Sequence, residues 1–190
     1  MIKLAIFASG AGSNAAKIIE HFKNSSTVVI DLIVCNKKEA GVWGIAATNQ
    51  IDTLYINRES FIESDACVKQ LQARSIDFIV LAGFLWKVPE SLIHAYPGKI
   101  INIHPALLPK YGGKGMYGMH VHEAVIAAGE KESGITIHYV DAHYDEGDII
   151  FQAKCAVEPG DTPASLAAKI HVLEHAHFPV VIEKLLKELK

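Results

Sequence analysis

Cysteine is scarce in this chain: three residues in 190, at Cys35, Cys67 and Cys155. They are odd in number, far apart and form no CxxC pair, which argues against a disulfide framework, a zinc knuckle or a dithiol redox site and fits a reducing cytoplasm. An excess of one charge is also lacking, because 18 Lys and Arg face 21 Asp and Glu. A slightly acidic chain has no general attraction to nucleic acid or an anionic lipid surface, so any anionic ligand has to be held locally. No apolar run approaches the roughly 20 residues of a membrane span. The apolar start "MIKLAIFASG" lacks the long hydrophobic region of a secretory signal. Internal repeats, low-complexity tracts and linkers are absent too. What is present is a half share of hydrophobic residues, enough at this length for one domain over residues 1–190 with a substantial core.

Short strand-like runs alternate with segments of helical period. Strands are expected over residues 3–9, 27–35, 53–56, 77–83 and 99–104, and helices over 14–23, 40–50, 61–74 and 89–96. The strand runs are almost continuously apolar, as in a parallel sheet with helices on both faces. After residue 104 the pattern changes. A loop of about fifteen residues leads to a helix over 120–128, and strands over 133–142 and 148–157 are joined by a turn too short for anything but an antiparallel pair. A final helix over 162–189 follows, with Thr162 as its cap and Pro163 in its first turn. The expected fold is α/β: a doubly wound, mostly parallel sheet with a Rossmann-like N-terminal half and an antiparallel C-terminal strand pair.

Three segments carry chemistry. In "ASGAGSN" (8–14) Gly10 and Gly12 permit a tight turn between a strand and a helix, whose free N–H groups and positive dipole end suit a phosphate. The same glycines match a loose dinucleotide fingerprint, so a nicotinamide-dependent oxidoreductase is a rival reading. That reading lacks its acidic residue at the end of the second strand, where "VCNKK" stands, although Lys37 and Lys38 could receive a 2′-phosphate. A purely structural turn is the third alternative. In "INIHPALLPKYGGKG" (101–115) the two-residue period puts Asn102 and His104 on one face of a strand end. An amide and a protonated imidazole there are two donors suited to an oxygen on a carbonyl becoming tetrahedral; a structural histidine is the alternative. In "HYVDAHYDEGDI" (138–149) Asp141, Asp145, Glu146 and Asp148 cluster around the bend at Gly147, and a carboxylate beside a histidine favours its charged form. A solvated hairpin tip is the competing explanation. Histidines at helical spacing in "HVHEA" and "HVLEHAH" match no metal-binding signature.

"FASGAGSN", "VLAGF", "NIHPALLPKYGG", "HYVDAHYDEGDII" and "LEHAHFP" occur in this order, and together they resemble the phosphoribosylglycinamide formyltransferases of the formyltransferase superfamily, the folate-dependent enzymes of purine synthesis. The resemblance covers nearly the whole chain. It implies transfer of the formyl group of 10-formyltetrahydrofolate, a co-substrate, to the amine of glycinamide ribonucleotide. No metal, nucleic acid or membrane enters, the compartment is the cytoplasm, and a homodimer is left open. Residue by residue, it implies a catalytic trio of Asn102, His104 and Asp145. Asn102 and protonated His104 would stabilise the oxyanion, and Asp145 would keep His104 charged and help move protons. The ribonucleotide falls to Gly12, Ser13, Asn14, Pro105, His171 and Glu174. The folate falls to Leu85, Trp86, Lys87 and Val88, to Asn102, and to Asp141, Ala142, His143, Tyr144 and Asp145. The chain departs from many relatives in carrying "LWK" after "AGF", in lacking an arginine near Ser64, and in having His171 where a glutamine often sits.

Overall fold

The computed structural model describes residues 1–188, which form two compact units, Met1–Asn102 and the described residues from Ile103 onward. In the first, strands β1 (Ile2–Ala8), β2 (Val28–Cys35), β3 (Asp52–Tyr55), β4 (Phe78–Leu81) and β5 (Ile100–His104, whose last two residues belong to the second unit) lie in the order β3-β2-β1-β4-β5. Every neighbouring pair among them is parallel. Helices α1 (Ser13–Phe22), α2 (Val42–Thr48), α3 (Ala66–Ala73) and α4 (Glu90–Ala95) make the crossovers. The central strands are apolar because they are covered on both faces: Leu4 to Ala8 of β1 are fully buried, as are Ile79 and Val80 of β4. Strand order reverses between β1 and β4, and at such a switch point the loops beyond the carboxyl ends diverge and leave a crevice. The glycine loop follows β1 at that point, and residues 82–88 follow β4.

One expected element is corrected. The helix anticipated over 61–74 is instead a π-helical turn, Glu59–Glu63, followed by α3. Ser64, at φ −148° and ψ 167°, breaks the helical path. The turn before it is closed locally: Asn57 and Ser60 exchange side-chain hydrogen bonds with each other's backbone, and the Ser64 hydroxyl donates to the Glu59 carbonyl. This swings Phe61 into a buried aromatic group with Phe7 and Phe84, and Trp86 adjoins it at 6.0 Å from Phe61.

In the second unit, β6 (Glu132–Tyr139) and β7 (Ile149–Ala156) form the antiparallel pair, with helices α5 (Met119–Ala127) and α6 (Pro163–Glu188). The last residue expected for the final helix lies outside the described residues. β6 stops three residues short of expectation because the register slips at Ile137/His138 and Asp141 then turns the chain, its side chain accepting the His143 N–H at 2.7 Å. β6 is buried on both faces. Its polar Thr136 is fully used: the hydroxyl donates to the Ala106 carbonyl at 2.7 Å and accepts from Leu108 N–H and the Gln152 amide. One side chain thus ties the loop after His104 to the hairpin. Among the described residues no helix is long and apolar enough to cross a membrane.

Candidate active site

The loop after β1 is shaped by what it must pack against. Gly12 has φ +82°, and a Cβ there would meet Val42 at 2.8 Å and Ile45 at 2.9 Å. The Gly10 carbonyl accepts the Val42 N–H at the start of α2. Only glycine lets the chain pass this close and still enter α1, whose start Gly12 forms with no side-chain cap hydrogen bond. Asn14 is buried and Ser13 exposed. Gly12→Ala is expected to lower stability by roughly 1–2 kcal/mol through the left-handed backbone alone, with the collision added. Thermal unfolding of the variant checks this; an unchanged midpoint would mean that the loop yields freely.

The same region tells against a dinucleotide. Asn36, at the end of β2 where a ribose-binding acid would stand, is buried and accepts a hydrogen bond from Ser9 Oγ at 2.7 Å. That hydroxyl in turn accepts the Leu85 N–H at 3.0 Å, so this position is spent on fixing the segment 85–88. In that segment Leu85 and Lys87 are exposed, Trp86 is half-buried and Val88 is buried. Lys38 lies over the Tyr55 ring at 5.8 Å, which gives its cation a local partner in place of a 2′-phosphate.

In the second unit the geometry centres on Asp145. Its Oδ2 lies 3.5 Å from His104 Nδ1, its Oδ1 lies 3.5 Å from His138 Nε2, and it accepts the Gly113 N–H at 2.9 Å. The other His104 nitrogen, Nε2, donates to the Tyr111 carbonyl at 2.7 Å, and His138 Nδ1 donates to the Tyr139 carbonyl at 2.8 Å. His104 is 3% exposed and His138 2%. Burial pushes the Asp145 carboxyl up, but His138, the His104 charge and the Gly113 N–H together outweigh it and hold the group below the usual aspartate value. For His104 the balance falls the other way. Burial pulls the imidazole below its usual value, and Asp145 and the Tyr111 carbonyl only partly restore it. Asp145 and burial thus act on the His104 ring in opposite directions, with burial the larger influence.

His138, Tyr111 and Gly113 were not among the expected site residues. His138 had a signal, the two-residue period that carries Thr136 and His138 on one face of β6. The other two act through backbone groups, which side-chain types do not advertise. Asn102 is half-buried beside Leu81 of β4, two residues before His104 on the same strand face. Pro105 follows, half-buried. In the turn 141–145, Asp141 and Ala142 are half-buried and His143 and Tyr144 exposed, and the Asp141 carboxylate is used locally on His143. On α6, His171 Nδ1 and Glu174 Oε2 pair at 2.9 Å, with Glu174 buried and His171 exposed. Among the described residues no group of three or more His, Cys, Asp or Glu is arranged to hold a metal ion.

These histidines make stability depend on pH in opposite senses. His104 and His122, the latter buried on α5, are both pushed below the usual value, chiefly by burial. As pH falls below about 6.5 the unfolded chain takes up those protons first, and stability drops. His171 is raised, first by its hydrogen bond to Glu174. Its contribution is full below about pH 6.5 and is lost as pH rises through its folded value. His171→Gln is thus expected to steepen the loss of Tm on acidification from about pH 7 to 5, measured by scanning calorimetry. Equal slopes would rule the pair out as a stabilising contact.

The model of the formyl transferase family matches residues 2–182. The chain is 38% identical over 193 residues to the phosphoribosylglycinamide formyltransferase of Bacillus subtilis, covering 98% of this chain and 95% of that one. It is 41% identical to the chloroplastic phosphoribosylglycinamide formyltransferase of Arabidopsis thaliana. The chain spans only 66% of that plant protein's length and 61% of the Vigna unguiculata relative's. The crystal structure of phosphoribosylglycinamide formyltransferase from Bacillus halodurans superposes with a TM-score of 0.89 at 37% identity, covering 99% of this chain and 97% of that one. Loop, strand end and hairpin turn thus stand in a fold and sequence shared with these proteins, and the chain belongs to the formyl transferase family, among the phosphoribosylglycinamide formyltransferases.

Proposed function

We propose that the protein transfers the formyl group of 10-formyltetrahydrofolate to the amine of glycinamide ribonucleotide. The observation that carries the reading is the buried His104–Asp145 pair, with Nδ1 facing the carboxylate at 3.5 Å, on a strand end that also bears Asn102. That separation is longer than a good hydrogen bond of about 2.7–3.2 Å and keeps the carboxylate within the range of an ion pair. The ribonucleotide phosphate is read onto Gly12, Ser13 and Asn14 at the start of α1, where backbone N–H groups and the helix dipole favour an anion. The remainder of the ribonucleotide is read onto Pro105, His171 and Glu174. The folate is read onto Leu85 to Val88 and Asp141 to Asp145.

In this reading His104 acts as a neutral base, the form that its burial favours. The amine lone pair bonds to the formyl carbon, whose carbonyl electrons move onto oxygen, and the Asn102 amide donates to that oxygen. His104 Nδ1 takes the proton that the amine sheds, and Asp145 stabilises the imidazolium formed. The bond from N10 to the formyl carbon then breaks, and His104 returns the proton to N10 of the departing tetrahydrofolate. No charge or proton is left over. The free cysteines Cys35, Cys67 and Cys155 support a reducing compartment such as the cytoplasm. A steady-state assay with each substrate omitted in turn tests the reading. Tetrahydrofolate release is expected only when both are present; release without the ribonucleotide would indicate a hydrolase instead.

A further inference from the structure

The turn over residues 111–113 holds both members of the buried pair through its backbone. The Tyr111 carbonyl accepts His104 Nε2–H at 2.7 Å, and Gly113 N–H reaches Asp145 at 2.9 Å. Tyr111 does this from φ +56°, a left-handed conformation that a tyrosine adopts only when its surroundings impose it. Its other end shows what imposes it. The phenol donates to Glu130 Oε1 at 2.9 Å, and the same oxygen accepts from Lys110 Nζ at 2.8 Å. Tyr111 and Glu130 also line an open pocket of about 260 Å³, together with Leu107, Leu108, Val125 and Gln152. Thr136 and Gln152 secure the loop at Leu108, and the Glu130 oxygen holds it again at Lys110 and at the Tyr111 phenol.

We propose that Glu130, acting through the Tyr111 phenol, is a positioning residue that holds the Tyr111 carbonyl against His104 Nε2 and so fixes the tautomer whose Nδ1 is left to react. The inference rests on the reading of His104 as the reacting base. The physical logic is that a neutral imidazole carries one proton, and the partner of one nitrogen decides which nitrogen stays basic. A carbonyl can only accept, so the turn keeps the proton on Nε2 as long as the turn stays in place.

The test uses the full chain labelled with ¹⁵N-histidine, in the wild type and in Glu130→Leu and Tyr111→Phe. The latter keeps the ring and guards against a folding defect. His104 resonances are assigned by their loss in His104→Ala. Both variants are expected to show a mixture of His104 tautomers and a titration displaced to lower pH, since the Tyr111 carbonyl favours the charged ring. kcat is expected to fall about 10-fold, less than the ~10²–10⁴ that a positioned acid–base group contributes itself, with KM for both substrates little changed. If the tautomer and titration of His104 are unaltered in both variants, the proposal is overturned whatever the rates. If the tautomer shifts while kcat holds, the positioning role stands and the role of His104 as base falls.

Discussion

His104→Ala is expected to reduce kcat by about 10²–10⁴, the contribution of a positioned acid–base group, while ribonucleotide affinity stays close to that of the parent. The separation between rate and binding is the informative part. His104 is 3% exposed, with Nε2 held by the Tyr111 carbonyl and Nδ1 facing Asp145 at 3.5 Å. Removing the ring deletes the base for the attacking amine and the acid for the departing nitrogen together. The phosphate, in this account, is held by backbone N–H groups at the start of α1, which His104 does not supply. Truncating a buried ring also leaves a void, so the variant's Tm should fall by several degrees, and rates belong well below that midpoint. Pre-steady-state kinetics and calorimetric titration with glycinamide ribonucleotide measure the two halves. A kcat near the parental value would remove His104 from the reaction.

Asp145→Asn should cost a comparable factor, on the order of 10² in kcat, for a different reason. The carboxylate is the largest influence opposing burial at His104, so its loss lowers the pKa of the ring further. The acid limb of the rate, which reports the neutral base, moves to lower pH, and the plateau drops because the imidazolium formed during transfer has lost its stabilising charge. Asp145 is itself held below the ordinary aspartate value by His138, His104 and Gly113, against the effect of burial. The stability it provides is present above about pH 3.8 and is lost as pH falls through its folded value. The asparagine variant should therefore be less stable at neutrality and lose less on acidification below about pH 4. An unshifted acid limb with an undiminished plateau would make Asp145 a hairpin-tip carboxylate with no part in the chemistry.

Much of this was legible in the residues. Continuous apolar runs locate strands covered on both faces, and the strand end at 102–104 is readable because the two-residue period needs no tertiary information. The glycine loop is equally plain, since the conformation of Gly12 follows from the turn it must make. Three features were not readable. Ser64 interrupts a convincing helical pattern because local side-chain bonds at Asn57 and Ser60 compete with the helix. The pull of burial on His104 is the second, because an acidic neighbour in the sequence shows only the opposing influence. The hold on His104 is made by the carbonyl of Tyr111 and anchored at Glu130, nineteen residues away, which no local motif connects.

Direct transfer from donor to amine is tested most directly by a single-turnover experiment with donor labelled in the formyl carbon. Enzyme in excess over donor is mixed with glycinamide ribonucleotide and quenched with acid over a time course. Label is expected to move from the donor to the ribonucleotide amide in one phase, with none on the protein and none released as formate. Label on the protein before it reaches the ribonucleotide, or formate appearing at the same rate whether or not the ribonucleotide is present, would contradict the account.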